Sequence, residues 1–585
     1  MTKKIFLALL MSCLALFASA SNYLTFTAEE DNSSFCIENT NNNPNVEYSL
    51  DDGETWTLLE ADEEGTSEYV ILGKKGDKAL LRGYNPDGFS ISKFESHELS
   101  IHFTVFNMRG EIAASGSVMS LIDGIGESKT IPSDHCFYAL FYDCESLTQA
   151  PELPATTLAD NCYEYMFGAC TSLTQAPELP AMDLADFCYY RMFVDCESLI
   201  QAPELPAMGL AYACYHGMFG NCESLTQAPA LPATTLAEFC YAQMFYGCTN
   251  LVQAPELPAI TLTDDCYKDM FHGCKSLIQA PALPATTLAE SCYNSMFQGC
   301  KSLVQAPALP ATILADHCYT FMFCECTSLT QAPALPATTL AYSCYSSMFY
   351  VCTNLIQAPE LPATELAESC YDGMFDNCTS LTQAPELPAM SLASKCYLRM
   401  FRCCTSLTQA PELPAMDLAY ACYSCMFENC TSLTQAPELP AVELANYCYE
   451  LMFQNCRKLQ KITVGFDIWY SGRTDSWVEN VASTGTFYCP KRLSLEYGIH
   501  NIPEGWNVEY IDDETDVAEH ISDASFKAWG ADGKITYIGA TMPVEIYDLS
   551  GRLVKKVKEE SQSVVVPQQG IYVVKSGNVS LKVEL

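Results

Sequence analysis

The sequence predicts a repeat solenoid of mixed α/β character, flanked by small β domains at both ends. One 26-residue unit recurs without a slip over residues 126–465, and a fixed period of this size is typical of stacked coils. Half of each unit has apolar residues four apart, as a helix does, and the other half contains two prolines. The flanking regions instead alternate apolar and polar residues, as strands do.

The repeat template is C-Y-x-x-M-F-x-x-C-x-[SN]-L-x-Q-A-P-x-L-P-A, with thirteen cysteine pairs eight residues apart and twelve QAPxLPA blocks. In residues 158–170 the apolar stripe comprises Leu158, Cys162, Met166 and Cys170. This spacing predicts a helix of about three turns. A single unit cannot bury this stripe alone, so neighbouring copies must stack.

The second half of the unit cannot continue the helix. Pro177 and Pro180 lack amide donors and bias the residues before them to extended geometry. We therefore predict an extended segment in each coil, without a continuous hydrogen-bonded sheet along that side.

The paired cysteines are predicted to be buried apolar residues. Eight residues of helix would separate their Cα atoms by about 12 Å, and packed helices lie about 8–10 Å apart, whereas a disulfide needs about 7 Å or less. Zinc is not expected, because C-x7-C without clustered histidines is not a zinc spacing. The predicted core ladder includes Cys162, Cys170, Cys188, Cys196, Cys214 and Cys222. The off-pattern Cys324, Cys403 and Cys425 are expected to be exposed thiols.

The N-terminal region divides into two parts. Residues 1–20 have the lysines, apolar run and small-residue site of a secretory signal peptide, with cleavage between Ala20 and Ser21. A lipoprotein signal at Cys13 is the alternative. Residues 21–125 predict a β domain that caps the first coil, with independent ligand binding as the competing interpretation.

The repeats resemble the leucine-rich repeats of BspA-like bacterial surface proteins. The matching residues are Met166-Phe167-x-x-Cys170-x-x-Leu173 and their equivalents in the other copies. This unit has 26 residues where the family usually has 23. The resemblance implies a curved leucine-rich-repeat-like solenoid, and an association with binding matrix proteins and other cells.

After the repeats, residues 466–511 predict a C-terminal cap and residues 512–524 an acidic linker. Residues 525–585 are predicted to form a β-sandwich-like domain that resembles the C-terminal sorting domain of the type IX secretion system of Bacteroidota. A plain β domain is the alternative. The matching positions include Gly551, Arg552, Leu553, Val554, Gly570, Ile571, Tyr572 and Lys575. The resemblance implies a protein secreted to, or held on, the outer surface of a Gram-negative bacterium.

The net charge and the absence of catalytic motifs exclude several classes of function. The formal net charge is −41, which repels nucleic acid and anionic lipid. No zinc-protease, nucleophile-elbow or phosphate-loop motif occurs in the sequence, and His216, His272 and His317 have no fixed partners. We therefore expect no enzyme, no cofactor, no metal site and no transmembrane segment.

One variable position suggests a binding patch. The x of QAPxLP is glutamate in eight copies and alanine in four, which are Ala230, Ala282, Ala308 and Ala334. If this position faces outward, the less charged middle coils form a candidate binding patch. Random drift between glutamate and alanine is the competing explanation.

The leading functional hypothesis is a secreted or cell-surface protein for adhesion or recognition. Its expected partners are extracellular proteins or glycans of host or neighbouring cells, together with the secretion machinery. A structural component of the cell envelope or matrix is the first alternative, and a carbohydrate-binding protein is the second.

Overall fold

The computed structural model describes residues 22–39, 43–62, 65–95 and 98–511, and shorter segments near the C-terminus. Those segments are 527–531, 534–538, 540, 543–548, 553–558, 563–565, 571–576 and 579–584. The predicted signal peptide with Ala20 and Ser21 lies outside the described residues, as does the acidic linker.

The N-terminal region is built from short strands around an apolar core. The strands are β1 (Leu24–Ala28), β2 (Ser33–Asn39), β3 (Glu47–Ser49), β4 (Thr57–Leu58), β5 (Val70–Leu72), β6 (Lys78–Arg82), β7 (Ile91–Glu95), β8 (Glu98–His102), β9 (Thr104–Arg109), β10 (Ile112–Ser115) and β11 (Leu147–Gln149). One sheet has the order β11-β10-β1-β6-β3-β4, a second has β5-β2-β9, and β7 pairs with β8. A single helical turn, α1 (Ser120–Asp123), leads into the repeats.

This β region closes the first coil of the solenoid. Strand β10 pairs in parallel with β11, which belongs to the first repeat. Phe106 donates its backbone N–H to the carbonyl of Leu140 at 2.9 Å, and its ring stacks on Phe141 with centroids 5.4 Å apart. One apolar core runs from this region into the repeats. The arrangement covers the end that an uncapped coil would expose.

The predicted helix of each repeat is wrong. In residues 161–170, every second backbone N–H bonds to the carbonyl three residues earlier, and the others cross to the next coil. Met166 donates to Tyr163 at 3.2 Å, whereas Phe167 donates to Met192 at 2.9 Å. The segment is a run of tight turns tied to its neighbour.

A left-handed residue at every fourth position produces this geometry. In the coil at 161–170 the three are Asn161, Tyr165 and Ala169, with φ of 56°, 53° and 58°. The spacing repeats in each later coil, with glycine at some positions. Turns and helix both bury residues four apart, so the apolar pattern did not distinguish them. An isolated helix bonds only to itself, whereas identical stacked copies can pair their backbones.

The extended half of each coil carries single parallel bridges rather than a sheet, as the two prolines predicted. Gln279 bridges to Gln253 on one side and to Gln305 on the other. Among the described coils, a continuous four-stranded parallel sheet begins at the last QAP segment, where the proline pattern ends. Its strands are β12 (Gln435–Leu439), β13 (Lys461–Val464), β14 (Thr486–Pro490) and β15 (Asn507–Ile511).

Coils therefore continue through the predicted C-terminal cap. β13, β14 and β15 pair in parallel in chain order, so residues 466–511 add further coils of altered sequence. Trp477 is fully buried beside Tyr449 and Phe453, and Trp506 is buried as well. These tryptophans fill the end of the core.

Stacked rings and cysteines make up the core of the repeats. Equivalent phenylalanines from Phe141 to Phe453 stack with centroids 5.4–5.8 Å apart. The thirteen cysteine pairs from Cys136/Cys144 to Cys448/Cys456 are all buried, and every described cysteine is a free thiol. Of the three thiols expected to be exposed, Cys324 is buried, and Cys403 and Cys425 are half-buried. All three lie in turn segments that are hydrogen-bonded to neighbouring coils, which limits their contact with solvent.

The second cysteine of each pair also has a polar role. Its thiol donates to the carbonyl of the phenylalanine 29 residues earlier, as Cys300 does to Phe271 at 3.2 Å. Twelve such bonds, and a thirteenth from Cys144 to the carbonyl of Phe106 in the N-terminal region, run the length of the core at 3.0–3.2 Å. The Cα separation predicted for cysteines of neighbouring coils assumed packed helices, and it does not apply. Backbone hydrogen bonds hold the coils closer together than helices pack.

The C-terminal region forms two small antiparallel sheets around a separate core. Its strands are β16 (Lys527–Ala531), β17 (Lys534–Ile538), β18 (Val544–Asp548), β19 (Leu553–Val557), β20 (Ser563–Val565), β21 (Ile571–Ser576) and β22 (Val579–Glu584). The sheets have the orders β16-β17-β20 and β19-β18-β21-β22. Leu553 and Val554 lie in β19, and Ile571, Tyr572 and Lys575 lie in β21. Gly551, Arg552 and Gly570 fall outside the described residues.

Candidate interaction surface

The QAPxLP segments line one side of the solenoid, called here the QAP face. In each coil the leucines before and after QAP point into the core, and the glutamine and x side chains are exposed. Leu303 and Leu309 are buried, for example, whereas Gln305 and Ala308 are exposed. The segment does not follow the strict alternation of a strand, since Val304 and Gln305 are both exposed, in keeping with its prolines and single bridges. The variable x position therefore faces outward, as the candidate patch requires.

The four predicted patch alanines are all exposed, but they do not form one continuous patch. Ala282, Ala308 and Ala334 occupy three consecutive coils, whereas Ala230 is separated from them by Glu256. Glu360 follows on the other side. We call the surface around Ala282, Ala308 and Ala334 the neutral window.

The neutral window contains a shallow groove of about 370 Å³ between two neighbouring coils. Its walls are residues 305–310 of one coil and residues 331–334 and Pro336 of the next. Glutamine side chains, prolines and the small alanines line it. A glutamate in place of Ala308 or Ala334 would put a carboxylate in this groove.

An exposed aliphatic row lies beside the neutral window, and the sequence reasoning missed it. The residue before each QAP glutamine is threonine in most coils but aliphatic in Val252, Ile278, Val304 and Ile356. Their exposed fractions are 42%, 56%, 51% and 54%. Four of the five aliphatic residues at this position fall in or next to the neutral window, the fifth being Ile200. This row could be found in the sequence by comparing the residue between the leucine and the glutamine of L-x-Q-A-P from one coil to the next.

The turn side of the coils is more variable and carries two further clusters. Near the N-terminal end, His216 stacks on Tyr190 at 4.9 Å, and Arg191 bonds to the Tyr165 hydroxyl at 3.3 Å. Burial lowers the pKa of His216 to about 4, so its ring is neutral at pH 7. These aromatic side chains pack mainly against one another.

The second cluster is charged. Asp376 is buried and pairs with Arg402 at 3.4 Å, and Arg402 also reaches Glu428 at 3.3 Å. Burial raises the pKa of Asp372 and of Asp376 to about 6 in each case, against the lowering effect of nearby arginines. No pattern in the sequence marks this cluster, because aspartates are common throughout the chain.

Metal and membrane features are absent from the part of the chain that the structure describes. No three histidine, cysteine or acidic side chains there are grouped to hold a metal ion. No helix in the same residues has the length and apolar character to cross a bilayer. His272 contacts Asp269 at 3.1 Å, as a local pair on the turn side.

Stacked 26-residue coils with an outward variable position define a repeat solenoid of the kind that binds through an extended surface. The sequence model of the BspA type leucine rich repeat region matches this chain in six copies, over residues 214–336, 242–382 and 343–472. Residues 214–472 are therefore similar to a BspA-type leucine-rich repeat region. The repeat part of the predicted fold class is confirmed.

Two solved structures are similar to the chain at low sequence identity. One is a leucine-rich repeat protein from Eubacterium ventriosum, at 14% identity and a TM-score of 0.29, covering 73% of this chain and 97% of that one. The other is the TLR13-ssRNA13 complex, at 14% identity and a TM-score of 0.18, covering 64% of this chain and 51% of that one. TM-scores of this size mean that the whole chains do not superpose. No curated protein matches the chain at a significant level.

Proposed function

We propose that this is a secreted or cell-surface recognition protein that binds extracellular macromolecules of host or neighbouring cells through its QAP face. The observation that carries the proposal is the neutral window, an uncharged and partly aliphatic surface in a protein of net charge −41. Exposed apolar groups rimmed by charge mark interaction sites more often than random surface does. The similarity of the repeats to BspA-type leucine-rich repeats supports a binding role independently of the neutral window. We propose binding without catalysis and without a cofactor.

The test is binding of the purified chain from residue 21 onward to immobilised matrix proteins, mucins and glycans. We expect saturable binding to at least one of them. The triple variant A282E/A308E/A334E should lose it, because three carboxylates then occupy the neutral window. Ala230→Glu is the matched control, since it makes the same change outside the neutral window, and it should bind normally. Absence of binding to every immobilised partner would instead favour a structural role in the envelope or matrix.

We also propose that the C-terminal region directs export across the outer membrane of a Gram-negative bacterium. Its antiparallel strands carry the residues that resemble a type IX sorting domain, including Leu553, Tyr572 and Lys575. A chain ending at residue 511 should then accumulate in the periplasm, while the full chain reaches the surface or medium. Fractionation of both strains measures this, and equal export of the two would contradict the proposal.

A further inference from the structure

The charges around the neutral window indicate what kind of partner it fits, if it is the recognition site proposed above. Glutamates at the x position continue on both sides of it. Glu256 and Glu360 are the nearest. The full set is Glu152, Glu178, Glu204, Glu256, Glu360, Glu386, Glu412 and Glu438, all exposed.

The glutamate rows are electrostatically unfavourable in the unbound protein. Coils joined by backbone bridges lie about 4.8 Å apart, so consecutive x side chains are near neighbours. Like charges directly opposite each other on paired strands are destabilising. Four such carboxylates follow one another from Glu360 to Glu438. Lysine or arginine side chains of a partner would relieve this repulsion on binding.

A second copy of the chain is the wrong partner for this surface. If two QAP faces met in parallel register, each glutamate row would face itself. If they met antiparallel about Ala308, Glu256 of one copy would face Glu360 of the other. Both arrangements place carboxylates against carboxylates. Charge complementarity therefore favours a different, basic partner.

The length of the neutral window sets the size of its ligand. Glu256 and Glu360 are four coils apart, which corresponds to about 19 Å at about 4.8 Å per coil. An extended polypeptide advances about 3.3 Å per residue, so about six residues span this distance.

We propose that the neutral window binds an extended polypeptide segment that runs along the solenoid axis and has about six uncharged residues flanked on both sides by lysine or arginine. The aliphatic row and the alanines contact the uncharged core of the segment. The exposed glutamine amides carry both donors and acceptors for its backbone. The glutamates beyond Glu256 and Glu360 pair with the basic flanks, which raises the association rate and makes binding dependent on salt.

The probe is a phage-displayed library of random 12-residue peptides, selected on the full chain from residue 21. Selected peptides are then synthesised, and their affinities are measured by fluorescence anisotropy at low and high salt. We expect enriched peptides to have an uncharged centre between basic residues. A282E/A308E/A334E should weaken their binding at least tenfold, and Ala230→Glu should change it less than twofold. Glutamate already occupies this position in eight coils, so these variants should fold, which a thermal melt verifies.

A second pair of substitutions tests the flanks without touching the window. Glu256→Gln with Glu360→Gln should weaken binding of the basic peptides and reduce its salt dependence. The inference is overturned if enriched peptides lack basic flanks, or if the triple glutamate variant binds them as well as the original chain. It is also overturned if the chain dimerises through this surface and the triple variant abolishes the dimer. If the triple variant still binds matrix proteins, only this inference is contradicted. If the original chain binds no immobilised partner, the proposed function is contradicted.

Discussion

At the scale of single residues, the cysteines of the repeats combine burial with a hydrogen bond from the second thiol of each pair to a phenylalanine carbonyl. Their regular spacing and apolar neighbours were sufficient to predict burial. The bond from each second thiol to a phenylalanine carbonyl was not predictable, because it depends on where the neighbouring coil lies. The same is true of Asp372 and Asp376, which the sequence does not distinguish from exposed aspartates. Burial, which the fold determines, gives both a raised pKa.

Asp372 should make stability depend on pH. Its pKa is raised to about 6 in the folded chain by burial, whereas in the unfolded chain it keeps its usual value of about 4. The folded state then binds more protons between these values, so stability falls as pH rises from about 4 to about 6 and levels off above. Asp372→Asn should raise the free energy of unfolding at pH 7 by about 2 kcal/mol and change it little below pH 4.

Urea unfolding across this pH range measures the effect. Asp376 retains its own raised pKa, so the variant should lose only part of the pH dependence. Asp183→Asn, at an exposed coil corner, is the control and should leave the curve unchanged. An equal pH dependence in Asp372→Asn and the original chain would show that Asp372 contributes nothing.

At the scale of elements, the turn segments are where sequence reasoning failed. Apolar residues four apart suit a helix and suit a chain of four-residue turns equally well. The deciding feature is the left-handed residue before each second cysteine, which differs between coils and includes glycine and asparagine as well as Glu325, Val351 and Cys403. Gly247, Gly273 and Gly299 at that position were the available hint, since three consecutive coils with glycine there are unusual inside a helix. The proline segment was easier to predict, because its missing amide donors limit the backbone hydrogen bonds that neighbouring coils can form there.

Gly273→Ala separates the two structures by the sign of its effect. In a helix, alanine would stabilise the chain by about 1 kcal/mol. Here Gly273 has φ of 76°, so alanine should instead cost about 1 kcal/mol, although its Cβ would meet only Gly247 at 3.6 Å. Ala169→Gly, at the equivalent position with φ of 58°, should have the opposite sign. Denaturant unfolding of both variants provides the measurement, and stabilisation by Gly273→Ala would favour the helix.

At the scale of the whole molecule, the repeat period predicted that the coils stack, whereas the alternating flanking sequences predicted β-rich ends. It did not predict that the coils run on to residue 511 or that the N-terminal strands share their core, since both features depend on residues outside the template. The position of the neutral window follows from the sequence only after the x side chains are known to face outward. Each coil contacts mainly its two neighbours, so the array should tolerate a change in coil number.

Removal of residues 344–369, one full unit, should leave a folded solenoid. Ser343 then joins Cys370 in the same register, and Glu386 takes the place of Glu360 beside the neutral window. We expect an unchanged far-UV spectrum and a modest loss of thermal stability. Removal of residues 344–356, half a unit, is the control and should abolish cooperative unfolding. Similar melts for the two deletions would mean that register does not govern the stacking.

The row of buried thiols has a consequence for how the protein is oxidised over time. A thiol that never meets solvent reacts with an oxidant or an alkylating reagent only when its coil opens. The order in which the cysteines from Cys136 to Cys456 become labelled would thus record which coils open first. The two cysteines in each repeat would therefore report local opening along the whole core.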